Sequence, residues 1–320
     1  MGVDAKSTPF FMLRGFQQVA NLAAFPTVCA VLCGQTPPVG NLPMYSSASI
    51  VNAATNRPGP IAANGLASLY GKNLAFVTRA IGPDDLRGDI LPTALAGTGL
   101  RVSIGSISVP ILFVSPSQVN FLVPPSMRVG RHKLLLTLNS RTGPEVDIDV
   151  SDVSPGAFPL DANYIIATHA DGRLVEPGAP AQPGQILIVY ASGLGQTIPR
   201  MVNLIVPRAP AQIERLGQFR ILLNDTVIAG SAVLYAGLAP GFAGLYQINL
   251  RLPAELALDP ELRIAVGEFL SPEGLRLHTQ PAALQLSADD LSCRGGSLAG
   301  RLCRSPFDRQ VLSTDLRLLR

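Results

Sequence analysis

From residue 246 the chain reads YQINLRLP, with apolar Tyr246, Ile248, Leu250 and Leu252 alternating with polar Gln247, Asn249 and Arg251. A period of two puts the apolar set on one face of a half-buried strand, and Pro253, which lacks an N–H, ends the ladder. Residues 117–124, SQVNFLVP, repeat the phrase. There Val119, Phe121 and Val123 take the inward places, Gln118 and Asn120 the outward ones, and Pro124 the stop. The distance from Gln118 to Gln247 is 129 residues, too long for a solenoid of short units and right for a duplicated domain.

The match extends both ways. GLASLYGKNLA (65–75) corresponds to GQILIVYASGLG (184–195), LRVSIG (100–105) to FRILLN (219–224), and ISVPILF (107–113) to VIAGSAVLY (227–235). KLLLTLNSRTGPEVDIDV (133–150) corresponds to LRIAVGEFLSPEGLRLHTQ (262–280). Each pair predicts strand, tight turn, strand. The spacing grows from 120 residues at Tyr70/Tyr190 to 129 at Gln118/Gln247, mostly where AGLAPGFAGLY replaces VSPSQ, and loops absorb such insertions at little cost. Some six short strands per copy predict an all-β chain of two tandem Ig-like antiparallel β-sandwiches, residues 50–153 and 154–287. The Pro- and Gly-rich segment 152–160 is the expected hinge. With 30 Gly and 28 Pro spread along the chain, long helices are not expected. With no Trp and no Cys between residues 34 and 292, apolar packing alone must hold both sandwiches.

Charge changes the picture only at the C-terminus. Six Arg fall in residues 291–320, leaving 19 of the 25 basic and 20 of the 22 acidic groups to residues 1–290. The folded part is thus neutral and lacks the basic face a nucleic-acid partner requires, so none is expected. Residues 288–320 are expected to be an Arg-rich disordered tail, in which Cys293 and Cys303 either pair or stay free. At the other end, residues 19–34 are apolar, follow Arg14 and contain Pro26. They are too short for a stable membrane span and fit a signal segment over 1–34, followed by a linker over 35–49. The alternative is a buried N-terminal helix or strand. Secretion to the cell surface or medium is expected, the periplasm being the other exported compartment.

VNAATNRPGPIAANGLASLYGKNLA, PILFVSPSQVNFLVP, PAQPGQILIVYASGLG and VLYAGLAPGFAGLYQINLRLP together resemble an uncharacterised C-terminal domain family abundant in Acidobacteria, the Solibacter-type domain. The resemblance spans roughly residues 50–286. It implies an extracytoplasmic module, usually carried at the end of larger secreted proteins, with no established activity. The opening phrase of each copy is also similar, more weakly, to the Gly-bounded first strand of the Ig-like domains of plexins and transcription factors. The Arg-rich end has no counterpart in the Solibacter-type family.

Chemistry-bearing residues are sparse. His132, His169 and His278 have no partner at metal-ligand spacing, and Ser192 lies in a Gly-rich turn rather than a nucleophile elbow. Asp147 and Asp149 point outward from one strand, as a solvated face or, less simply, a paired-carboxylate site. No catalytic residue, cofactor or metal site is expected. The stretch that stands out is the apolar loop AGLAPGFAGLY, with Leu238, Pro240, Phe242 and Leu245 as candidate contact residues, for a partner or for the neighbouring sandwich. These features predict a non-enzymatic module pair for adhesion, presentation or assembly, whose partner is another secreted or surface protein. The alternative is a carbohydrate-binding accessory module with a glycan partner, although that class uses exposed aromatic rings and this chain has few.

Overall fold

The computed structural model describes residues 42–280. The signal-like segment, residues 35–41 of the linker, the last residues assigned to the second sandwich, the Arg-rich tail and all four cysteines lie outside the described residues. Within them the chain is two Ig-like β-sandwiches in tandem, with only short 3-10 turns besides strands.

In the first sandwich, one sheet runs Ile50–Asn52, Leu66–Tyr70, Gln118–Leu122, Ile111–Val114, Arg79–Ala80. The facing sheet runs Ile61–Ala62, Val146–Ser151, Gly130–Leu138, Leu100–Ile104, Ile107–Ser108. In the second, Gly156–Ala157, Ile186–Ser192, Tyr246–Arg251, Val233–Leu238 and Ala211–Ile213 repeat the first order. Opposite them, Phe219–Leu223 lies between Thr226–Val227 and Leu262–Val266.

The duplication reaches the level of register. Tyr70 faces Gln118 and Leu66 faces Leu122, just as Tyr190 faces Gln247 and Ile186 faces Arg251. Leu100 faces Leu138 and Ile104 faces Leu134, just as Phe219 faces Val266 and Leu223 faces Leu262. Even the irregularity recurs: a bulge between Ile111 and Phe113 in one copy, between Val233 and Tyr235 in the other, so that Leu112 and Leu234 are equivalent. Two-residue turns pin this register. Asn224 and Asp225, both with positive φ, close one hairpin where Gly105, with φ 57°, opens its counterpart.

Val119, Phe121, Ile248 and Leu250, all fully buried, occupy equivalent places in two separate cores. Two places differ from the alternation. Gln118 is buried rather than solvated, its amide donating to the Asn120 side chain at 2.9 Å, while Asn120 also accepts from Ser68 Oγ at 2.9 Å. The strand expected over 275–280 is reduced to isolated bridges, because Arg276 and Thr279 pair in parallel with Tyr164 and Ala181.

Candidate functional site: the seam and the two free ends

A third apolar cluster draws on both sandwiches. Leu66, Leu91, Leu112 and Leu122 from the first meet Phe158, Ile166, Ala239, Ala243 and Leu245 from the second. Leu66, Leu112 and Leu122 sit on the outward face of their sheet, where water would normally be, yet are 8%, 8% and 1% exposed. The second sandwich covers them.

Buried polar groups of one sandwich find hydrogen-bond partners on the other across this seam. The Asn64 side-chain amide donates to the Tyr246 hydroxyl at 3.0 Å, and that hydroxyl donates to the Gly195 carbonyl. Ser192 Oγ accepts the Leu66 N–H at 2.8 Å and donates to the Gly244 carbonyl at 3.1 Å. Asn52 donates to the Ser154 carbonyl at 2.7 Å. Asn64, Ser192 and Tyr246 are at most 1% exposed, so separating the sandwiches in place would strand the Asn64 amide and the Leu66 N–H, while Ser192 and Tyr246 would keep only their bonds to Gly244 and Gly195 of their own sandwich. Burial pushes the Tyr246 hydroxyl far above the ordinary tyrosine range, against the smaller opposing effect of Asn64. The ring is therefore neutral and able to donate.

Backbone joins the seam too. Leu91 N–H donates to the Leu204 carbonyl at 2.7 Å and Val206 N–H to the Asp89 carbonyl at 2.9 Å, a short antiparallel ribbon between the sandwiches. Beside it the Arg208 guanidinium, hydrogen-bonded to Asp89, holds that carboxyl below its usual range. Close approach requires glycine: a Cβ on Gly244, whose φ is 74°, would lie 2.6 Å from Leu122 Cδ1. Segment 152–160, the connection between sandwiches, is gripped on both sides, through Ser154 by Asn52 and through Phe158 in the seam cluster.

The candidate loop residues separate. Leu238 is fully buried in the core of the second sandwich, Leu245 is buried in the seam, Phe242 is half-buried against the seam cluster, and Pro240 is exposed. Sequence reasoning gave no seam role to Asn52, Asn64, Ser192 or Tyr246. Their one signal was Leu122, an apolar residue in an outward place where the second copy has Arg251.

The remaining candidates have local partners. Asp147 and Asp149 pair across strands with Lys133 at 3.0 Å and Arg131 at 3.5 Å. His169 Nε2 lies 3.0 Å from the Ala179 carbonyl, His132 Nε2 lies 2.8 Å from the Arg128 carbonyl, and His278 stacks on Tyr164 with ring centroids 3.5 Å apart. Among the described residues no group of three or more His, Cys, Asp or Glu is placed to hold a metal, and no helix is long and apolar enough to cross a membrane.

Each sandwich also has a free end. On the first, an open trough of about 880 Å³ is lined by Leu42, Met44, Tyr45, Tyr70, Lys72 and Pro144. Its wall is a strap in which Met44 and Lys72 exchange backbone hydrogen bonds of 2.9 Å, and the Tyr45 hydroxyl accepts the Leu136 N–H at 2.8 Å. On the second, a groove of about 620 Å³ is lined by Val227, Ala232, Arg251, Leu252, Glu255 and Leu256.

No family model matches the chain, and no characterised protein matches it in sequence. Among solved structures it is similar to SGBP-B of the Bacteroides ovatus mixed-linkage glucan utilization locus, in complex with a mixed-linkage heptasaccharide. The identity is 11% over 69% of this chain and 44% of that one, with a TM-score of 0.29. Domains 5–6 of the S-layer protein SbsC match at 8% identity over 75% of this chain and all of that one, TM-score 0.23. The tandem Ig repeats of Dlar match at 11% over 75% and 95%, TM-score 0.18. The chain spans less than half of the glucan-locus protein, and likenesses this loose carry no argument about activity.

Proposed function

We propose that the chain is an exported, non-enzymatic tandem Ig-like module that holds two sandwiches in one fixed relation for adhesion, presentation or protein assembly at the cell surface. The observation that carries this reading is the seam. Domains in one chain move relative to each other by default unless a large apolar interface prevents it, and here an apolar cluster is reinforced by buried hydrogen bonds that only the docked arrangement completes. A pair held this way gives fixed spacing and lowers the entropy cost of meeting a large partner. A hinged cleft that opens and closes on a substrate would need the opposite. Export rests on the apolar segment 19–34 and on the resemblance to the Solibacter-type domain.

The test is fractionation of the producing cells with protease added outside, together with small-angle scattering of the purified chain. The expected result is an externally cleavable protein whose scattering fits a single rigid pair. Protein confined to the cytoplasm with Met1 intact, or scattering that demands independent sandwiches, removes the proposal. A second reading, glycan binding, is favoured by one feature, the Tyr45 and Tyr70 rings lining an open trough rimmed by Ser46, Ser49 and Thr142. A glycan array separates the two.

A further inference from the structure

Asn64–Gly65 is the only asparagine–glycine pair in the chain. In such a pair the backbone nitrogen of the second residue can reach the side-chain amide carbon of the first, because glycine has no Cβ to hinder the approach. A bond forms from that nitrogen to Asn64 Cγ, the Cγ–Nδ2 bond breaks, and the amide leaves as ammonia with the proton given up by the Gly65 nitrogen. Water then opens the resulting five-membered succinimide at either carbonyl, leaving aspartate or isoaspartate at position 64. Water is the only co-reactant the balance needs.

The pair stands where the sandwiches meet, and the fit there requires both residues. Asn64 has φ 62°, a left-handed conformation that asparagine tolerates, and its amide donates to Tyr246. A Cβ on residue 65 would lie 2.9 Å from the Ala62 carbonyl oxygen and 3.4 Å from Cα of Gly193 in the second sandwich. The closed seam also holds the reaction off. Asn64 is 1% exposed, which keeps water from Cγ. The attacking Gly65 N–H is donated to the Ala62 carbonyl and the Asn64 N–H to the Val123 carbonyl, both at 3.0 Å, which fixes the turn. Opening the seam frees the Asn64 side chain and admits water, and leaves only these two bonds of the first sandwich, which fray locally, to delay attack.

We infer that Asn64 is a covalent modification site gated by the seam: it survives while the sandwiches are docked, deamidates once they part, and the product keeps them from docking again. This rests on the fixed-pair reading above. The carboxylate puts an acceptor where the Tyr246 hydroxyl receives a donor, while the proton of that hydroxyl is committed to the Gly195 carbonyl. Re-docking would also bury the new negative charge. Isoaspartate, in addition, lengthens the backbone of the turn by one methylene. The chain thereby passes in one direction only, from a fixed pair to a hinged one.

The test is peptide mapping by mass spectrometry of the full chain held at mildly alkaline pH, either native or unfolded in urea, reading loss of Asn64 and gain of isoaspartate there. In the unfolded chain Asn64 should react faster than any other asparagine, and the native chain should lag by about a hundredfold or more, because reaction is confined to a rarely populated open state. Tyr246→Phe, which leaves the Asn64 amide without its acceptor, should quicken the native rate about tenfold, whereas Tyr235→Phe, away from the seam, should not change it. Asn64→Asp should keep the circular dichroism of wild type but scatter as two independent sandwiches; the deamidated fraction of wild type, separated by ion exchange, reads the same consequence if that variant does not fold. Equal rates in native and unfolded chains, loss of Asn64 no faster than of other asparagines in the unfolded chain, a Tyr246→Phe rate no higher than that of Tyr235→Phe, or a deamidated chain that still scatters as one rigid pair each overturns the inference. Wild type that scatters as independent sandwiches before any Asn64 is lost removes instead the reading beneath it.

Discussion

Replacing Tyr246 by Phe tests the seam with a single atom. The ring is fully buried and Phe keeps its packing, so the change isolates the hydroxyl. That hydroxyl receives the Asn64 amide at 3.0 Å and donates to the Gly195 carbonyl. Both partners would stay buried without a substitute. An unsatisfied buried polar group costs about 1–3 kcal/mol, so two such groups, partly relieved by relaxation, give about 2–4 kcal/mol. Tyr235 supplies the control: its hydroxyl donates to the Leu238 carbonyl at 2.9 Å within one sandwich, in a part-buried site, and Tyr235→Phe should cost about 1 kcal/mol. The assay is urea unfolding followed by circular dichroism, where wild type should show one transition and Tyr246→Phe a lower midpoint that begins to split in two. If Tyr246→Phe costs no more than Tyr235→Phe and leaves one transition, the seam is not what couples the sandwiches.

Three more outcomes are expected. All six tyrosine hydroxyls are pushed above the ordinary tyrosine range, five of them chiefly by burial and Tyr164 chiefly by its hydrogen bond to Asp259. The folded state then holds protons that the unfolded state releases, so stability is intact below about pH 10 and falls as pH rises above it; in a pH titration followed at 295 nm the folded protein should form tyrosinate at higher pH than the urea-unfolded chain, and coincident titration curves would contradict this. Gly244→Ala should destabilise by about 1–3 kcal/mol, because its Cβ meets Leu122 and Leu66 at a positive φ, and thermal melting reads the effect. Asp147→Ala and Asp149→Ala break only exposed cross-strand pairs and should each cost under about 1 kcal/mol, with calcium leaving the melting temperature of wild type unchanged.

Much of the architecture was legible before any coordinates. The alternation in SQVNFLVP and YQINLRLP fixes which side chains face inward, because the side-chain period of a strand is two, and hairpin turns such as Asn224–Asp225 set the pairing locally. From that follow two sandwiches, their order and their common register. Which outward faces meet one another was not legible. Leu66 and Leu112 read as residues of ordinary strands, Ser192 as part of a Gly-rich turn, and Tyr246 as one more core residue. Only docking brings Asn64 to Tyr246, 182 residues away, and so converts four scattered polar side chains into a lock. Alternation is a property of neighbours along the chain, whereas a seam depends on where two finished surfaces come to rest, and local patterning leaves that open.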